Sequence, residues 1–174
     1  DTPYIETSDV LPTTVHHKQK LEAEGIVQGL FEDSLILRTG WLFGANVGQT
    51  DFVTARIAEI RASDVVYSNV QQIGNPTFVN DLVLQIQHLL DFNAIGVFNC
   101  VGNGEAVSRF DYVEKIAKTL GAKTEIKECS SSYFGRVAPV SPNESAFNKG
   151  LDSLGANIMG NWEDRLVKYV SSFQ

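Results

Sequence analysis

The sequence predicts one α/β domain, because short apolar strand patterns alternate with longer helical patterns along its 174 residues. Three apolar runs of strand length stand at residues 35–37, 65–67 and 96–101. A helical pattern precedes the first run at 13–30, and apolar residues at helical spacing follow the second between 77 and 90. This length is sufficient for a single domain with a hydrophobic core.

Polar residues at the predicted helix starts support these boundaries. Such residues can accept a hydrogen bond from a free backbone N–H of the first helical turn. The predicted caps are Asp51, Thr77, Ser108 and Asn161. Gly121 can end the helix that starts after Ser108, because glycine adopts the left-handed conformation without strain. Residues 124–127 are the predicted fourth strand, and residues 130–148 read as a loop.

The composition is that of an ordinary globular protein, with 43% hydrophobic and 20% charged residues. A net charge of −7 argues against a nucleic-acid partner and against binding to an anionic membrane surface. No apolar run is long enough for a transmembrane helix. Cys100 and Cys129 form no CxxC pair and have no zinc-ligand set, so no metal is expected. Two reduced thiols predict a cytoplasmic protein.

Five stretches of the chain resemble, in the same order, motifs of the dTDP-4-dehydrorhamnose reductase family. They are PYIET at 3–7, LILRTGWLFG at 35–44, QIGNPT at 72–77, VFNCVG at 97–102 and WEDRL at 162–166. The resemblance implies the Rossmann-like NAD(P)-binding fold of the extended short-chain dehydrogenases/reductases. It also implies a nucleotide-sugar partner, whose 4-keto group is reduced by NADPH or NADH during the synthesis of polysaccharide precursors.

The same resemblance points to a catalytic helix near the start of the chain. The family carries YxxxK there, and residues 12–21 of this sequence read PTTVHHKQKL. Without gaps, the Tyr position is His16 and the Lys position is Lys20. The resemblance implies that Lys20 holds the nicotinamide ribose, with Thr39 and Gly40 in the loop beside the cofactor. The alternative is that Lys20 is an ordinary solvated residue of the helix. His16 can replace the Tyr as proton donor, or it is a helix-surface residue without chemistry.

Two further positions bear on the substrate. Trp41 follows the motif strand and can stack on a base or sugar of the substrate, or it is packed in the core. The family has an RPxNS segment whose Arg is expected to reach the nucleotide diphosphate, and Ser141 stands at that position. The Asn of the segment is replaced by Glu144. Arg136 lies close in sequence and is the candidate for compensating the lost charge.

A glycine-rich dinucleotide turn is missing from the sequence. The only GxG is at 102–104, and it reads as a simple turn. Residues 1–174 are therefore expected to be the C-terminal half of a reductase-like domain, comprising the last Rossmann strands and the small substrate-binding region. The N-terminal cofactor-binding half is absent, so cofactor binding is expected only where that half is present. A strand at 35–39 should then show an open edge, or one covered by a homodimer partner or a complementing N-terminal chain.

Two functions from different classes follow. The first is a nucleotide-sugar reductase whose activity is impaired or incomplete, because His16 and Ser141 replace the family's Tyr and Arg. The second is a non-catalytic relative that binds a nucleotide sugar or a partner protein and regulates it. A related epimerase or dehydratase is a third and weaker option, since those enzymes also depend on YxxxK.

Overall fold

The computed structural model describes residues 2–44, 49–138 and 140–174. Within these residues the architecture is α/β, as the sequence predicts. The helices are α1 Val15–Leu30, α2 Phe52–Ala62, α3 Val79–Asp91, α4 Arg109–Leu120, α5 Lys149–Leu154 and α6 Trp162–Ser171. The strands are β1 Leu35–Arg38, β2 Leu42–Phe43, β3 Val65–Asn69, β4 Ile73–Gly74, β5 Thr77–Phe78, β6 Gly96–Asn99, β7 Val107–Ser108, β8 Glu125–Cys129 and β9 Asn143–Glu144.

Most of the strand pairs are parallel. β1 pairs with β6, β2 with β5 and β3 with β8, and β4 lies between a parallel β9 and an antiparallel β7. In the described part of the chain, β1 pairs on one side only, with Leu35 opposite Gly96. The expected open edge is therefore present, and it leaves a row of backbone groups of β1 free for another strand.

Three of the predicted helix caps are confirmed. The Asp51 carboxylate accepts from the backbone N–H of Thr54 at 2.8 Å, and the Thr54 hydroxyl accepts from the backbone N–H of Asp51. The Ser108 hydroxyl accepts from the N–H of Asp111 at 3.0 Å. The Asn161 side chain accepts from the backbone N–H groups that follow it. Each short side chain supplies the acceptor that the first helical turn lacks.

The predicted cap at Thr77 is wrong. Thr77 lies in β5, and α3 begins at Val79 without a side-chain cap. The buried Thr77 hydroxyl accepts from the backbone N–H of Gly102 at 3.1 Å and donates to the Asn75 carbonyl at 3.3 Å. These contacts join β5 to the turn after β6, so the hydroxyl is not available to the helix.

The hydrophobic core is divided into two clusters. The larger surrounds α4, and its fully buried members include Ile57, Ile60, Tyr112, Val113, Ile116, Leu166 and Val170. The smaller one is formed by Leu89, Cys100, Leu151, Ala156 and Met159. Helix α1 belongs to neither cluster, and none of its residues is buried. It lies on the outside of the domain, where its side chains are free to line a groove.

Both cysteines are free thiols. Cys100 is fully buried, and this burial raises the pKa of its thiol to about 12, so it is unreactive in the folded chain. The described residues contain no group of three His, Cys, Asp or Glu side chains that could hold a metal ion. No helix in the described ranges is long and apolar enough to cross a membrane.

Candidate functional site

A groove of about 630 Å³ runs between α1 and the chain that continues from β1. His16 and Lys20 line it from α1, where they stand one helical turn apart on the same face. Thr39, Gly40 and Trp41 line it from the other side. The fold thus brings together five of the six site residues expected from the sequence.

One half-buried ion pair connects α1 to β1. Glu24, one turn beyond Lys20, accepts from Arg38 Nε at 2.9 Å and from Arg38 Nη2 at 2.5 Å. This hydrogen bond to Glu24 raises the pKa of the Arg38 guanidinium. Because Arg38 ends β1, the pair joins the helix to the strand beside the groove.

Trp41 is held in place from several directions. Its φ of 39° lies in the left-handed region, which non-glycine residues seldom adopt. Its indole Nε1 donates to a Glu144 carboxylate oxygen at 2.7 Å, and the Arg109 guanidinium carbon lies 3.5 Å from the ring centroid. A Cβ added to Gly74 would come within 2.5 Å of indole Cε2. The ring therefore lines the groove while much of its surface is packed against protein.

Glu144 lies on β9 and also lines the groove. Besides the indole N–H of Trp41, its carboxylate accepts from Gln72 Nε2 at 3.3 Å. Ser141, where the family resemblance implies an Arg, donates its hydroxyl proton to the backbone carbonyl of Asn143 at 3.0 Å. The acid at position 144 thus orients Trp41 instead of standing free.

Arg136 is the one predicted site residue that the structure does not bring into the groove. It lines two other cavities, of about 90 and 410 Å³. The larger of them is also lined by His17 and Glu144, which line the groove as well. The two spaces are therefore neighbours, and a long ligand can extend from one to the other.

Two residues beside the groove were missed by sequence reasoning. His17 is half-buried whereas His16 is exposed, and its Nδ1 lies 3.2 Å from the Thr13 hydroxyl oxygen. Two successive His residues at a helix start were a signal for it. Arg109 lies over Trp41 with its pKa lowered to about 10, first by burial and also by the charges of Arg136 and Arg56. It remains protonated at neutral pH, and no local pattern marks it.

The sequence model of the family described as "RmlD substrate binding domain" matches residues 1–174. The chain belongs to this family. A dTDP-4-dehydrorhamnose reductase of Mycolicibacterium smegmatis is 26% identical over 174 residues, which cover 99% of this chain and 53% of that protein. The resemblance seen in the five motifs is thereby confirmed. The chain spans about half the length of the curated relatives that it matches.

Solved structures give the same result for this member of the RmlD substrate binding domain family. A dTDP-4-dehydrorhamnose reductase from Clostridium acetobutylicum matches with a TM-score of 0.93 at 27% identity, covering 100% of this chain and 61% of that one. The enzyme of that name from Bacillus anthracis, in complex with NADP, gives 0.90 at 25% identity, covering 98% and 59%. Both confirm the predicted α/β fold class, that of Rossmann-like extended short-chain dehydrogenases/reductases.

Proposed function

We propose that the groove between α1 and β1 holds the sugar of a nucleotide sugar while its 4-keto group is reduced by NADPH or NADH. The observation that carries this proposal is that His16 and Lys20, on one face of α1, line the same groove as Trp41. The names of the relatives support it, since they are dTDP-4-dehydrorhamnose reductases and one was solved with NADP. The same proposal includes a role in polysaccharide precursor synthesis. It also includes a cytoplasmic location, which the two free thiols favour.

Reduced nicotinamide supplies the hydride that adds to the keto carbon, and the carbonyl oxygen must then take up a proton. His16 is the proposed donor of that proton from its ring N–H. The ammonium group of Lys20 would hold the hydroxyls of the nicotinamide ribose, and Thr39 and Gly40 would lie along the cofactor. Trp41 would bound the sugar with the edge of its ring that faces the groove.

The residues of this chain fit the nicotinamide end of the cofactor but not its pyrophosphate. A Cβ on Gly102, in the only GxG of the sequence, would overlap the Pro76 carbonyl oxygen, so this turn has no room for phosphates. We therefore propose that the cofactor is held jointly with an N-terminal half of the reductase fold. The open edge of β1 and the exposed α1 are the surfaces that such a half, or the second copy of a homodimer, would cover.

The assay is the consumption of NADPH with a dTDP-4-keto-sugar in the native protein that carries this chain. We expect His16→Ala to lower kcat by at least about 100-fold, the lower limit for loss of a general acid. Lys20→Ala should raise KM for the cofactor. Lys18→Ala is the matched control, because Lys18 is exposed on the same helix and does not line the groove. His16→Tyr should raise the rate, since a phenol reaches further than an imidazole.

The neighbouring histidine provides the discriminating variant. If His17→Ala abolishes turnover and His16→Ala does not, the acid is His17 and the assignment to His16 is wrong. The reductase proposal is rejected if wild type and every variant are equally inactive while the dTDP-sugar still binds. That result would support the non-catalytic function instead.

A further inference from the structure

The entry segment, residues 4–12, leads into α1 and carries a half-buried carboxylate at Glu6. The Glu6 Oε1 atom accepts two hydrogen bonds from backbone groups of other elements. One comes from the N–H of Asn99, at the end of β6, at 3.0 Å, and the other from the N–H of Gly150, in the first turn of α5, at 2.9 Å. These donors lie 93 and 144 positions from Glu6, so one carboxylate joins three distant parts of the chain.

The Glu6 carboxylate is also the acceptor that the start of α5 lacks. Asn148, at the N-cap position, makes no capping hydrogen bond, because its amide bonds with the N–H and the carbonyl of Val101. A Cβ added to Gly150 would lie 2.9 Å from Glu6 Oε1, so the carboxylate occupies the space that a side chain there would need. Because a free N–H at a helix start needs an acceptor, loss of this carboxylate would detach the entry segment from α5.

Backbone groups hold the rest of the entry segment at the same place. The Tyr4 carbonyl accepts from the N–H of Phe147 at 2.9 Å. The Glu6 carbonyl accepts from Arg38 Nη1 at 3.2 Å, while the other guanidinium nitrogens of Arg38 pair with Glu24 of α1. Arg38 therefore contacts both the entry segment and the helix that follows it.

A short stretch of chain separates this anchor from the groove. Residues 9–12 make no hydrogen bond with any other described residue. Four residues span at most about 14 Å, and the ring of Pro12 fixes one of their backbone angles. Helix α1 contributes no buried residue to the core, so its first turn, which carries His16, depends on the chain that enters it. A displacement of the anchored end is therefore passed on to His16.

The entry segment forms one wall of a cavity of about 230 Å³ beside the groove. His17, Thr39, Gly40 and Glu144 line both the cavity and the groove. Glu6 lines neither of them. Any effect of Glu6 on a ligand must therefore act through the position of the entry segment and of α1.

We propose that Glu6 is a positioning residue of the reductase site. By holding the entry segment against the ends of β6 and α5, its carboxylate keeps His16 opposite Thr39 and Gly40. A proton donor must come within about 3 Å of the atom that it protonates, and a misplacement of about 1 Å can lower a rate about 100-fold. This inference rests on the proposed function, because it assigns Glu6 a part in the same reaction.

The test compares kcat and KM in the native protein that carries this chain, with NADPH and a dTDP-4-keto-sugar. Glu6→Ala should lower kcat by about 100-fold and leave KM for the sugar almost unchanged, because it displaces the acid and not the binding groups. Glu6→Gln should retain most of the activity, because its amide oxygen still accepts from both N–H groups. Thr7→Ala is the matched control, since Thr7 is the exposed neighbour of Glu6.

Gly150→Ala tests the same contact from the other side, and it covers the case in which Glu6→Ala does not fold. Its methyl group should push the Glu6 carboxylate away, so kcat should fall here too. The double variant should be no slower than Glu6→Ala, because no carboxylate is left to displace. The inference is overturned if the two losses multiply, if Glu6→Ala keeps the wild-type kcat, or if Glu6→Gln is as slow as Glu6→Ala.

Hydrogen exchange separates this inference from the proposed function, because it needs no substrate. Amides in the first half of α1 should exchange faster in Glu6→Ala than in wild type. If they do and the wild type reduces no dTDP-4-keto-sugar, the proposed function fails while the positioning of α1 by Glu6 stands. If the wild type is active and exchange is equal in both proteins, the positioning role is wrong and the reductase proposal stands.

Discussion

Trp41 combines an unfavourable backbone conformation with side-chain contacts to Glu144 and Arg109. Its positive φ is maintained while Glu144 accepts from its indole N–H and Arg109 covers its ring. Strain of this kind persists only where the surroundings determine the conformation, and it is often found at functional sites. The ring that lines the groove is therefore oriented before any ligand arrives.

At the residue scale, Gly74 is predicted to be essential for this arrangement. In Gly74→Ala the new methyl group would lie 2.5 Å from Cε2 of an indole that cannot move without breaking its contacts with Glu144 and Arg109. We expect the free energy of unfolding to fall by about 1–3 kcal/mol, as measured by urea denaturation.

Gly29→Ala is the control for that experiment. Gly29 lies in the exposed helix α1, and an added Cβ would meet nothing within 4 Å. We expect a gain of about 0.5–1 kcal/mol, because alanine loses less backbone entropy than glycine in a helix. Equal stability of Gly74→Ala and wild type would show that the indole is free to shift.

At the scale of elements, α1 differs from the other long helices in how it is attached. Helix α4 buries four residues, Tyr112, Val113, Ile116 and Ala117, whereas α1 buries none. The Glu24–Arg38 ion pair is the main polar contact between α1 and β1, and its side chains are 14% and 29% exposed. A helix attached by so few contacts is expected to open locally, well before the core unfolds.

Hydrogen exchange tests this prediction. Amides of α1 should exchange faster than those of α4, and Glu24→Gln should lower the opening free energy of α1 by about 1 kcal/mol, the value of a partly exposed pair. The exchange of α4 should not change. Glu22→Gln is the control, because Glu22 is exposed on the same helix. If Glu24→Gln leaves α1 protected, other contacts hold the helix.

At the scale of the whole molecule, the two core clusters are expected to unfold as one unit. Leu166 and Leu151 are fully buried, one in each cluster. Each change to Ala should cost about 2–5 kcal/mol, because it removes apolar contacts and leaves a cavity. Leu154→Ala, in the same helix as Leu151 but 43% exposed, should cost far less.

We expect every variant to unfold in a single transition. Its midpoint should be the same by circular dichroism and by tryptophan fluorescence. The physical reason is that Phe78 of β5 packs against the larger cluster and β5 continues directly into α3, which carries Leu89 of the smaller cluster. Two separate transitions, with Leu151→Ala shifting only one of them, would show that the smaller cluster is an independent unit.

The sequence by itself determined the features that depend on neighbouring residues. The alternation of strands and helices was predicted, and so were the caps at Asp51, Ser108 and Asn161, because a cap and its partner are two or three residues apart. The five motifs predicted the family, and the helical repeat predicted that His16 and Lys20 share one face.

The tertiary structure decided which distant residues meet. Trp41 and Glu144 are separated by 103 positions, and one small cavity is lined by Arg56 of α2, Arg109 of α4 and Arg136 of the segment before β9. Thr77 was misassigned for the same reason, since its buried hydroxyl bonds to Gly102, 25 positions away. Local sequence patterns carry no signal for such contacts. Residues that are far apart in the chain become neighbours only when the elements that carry them pack together.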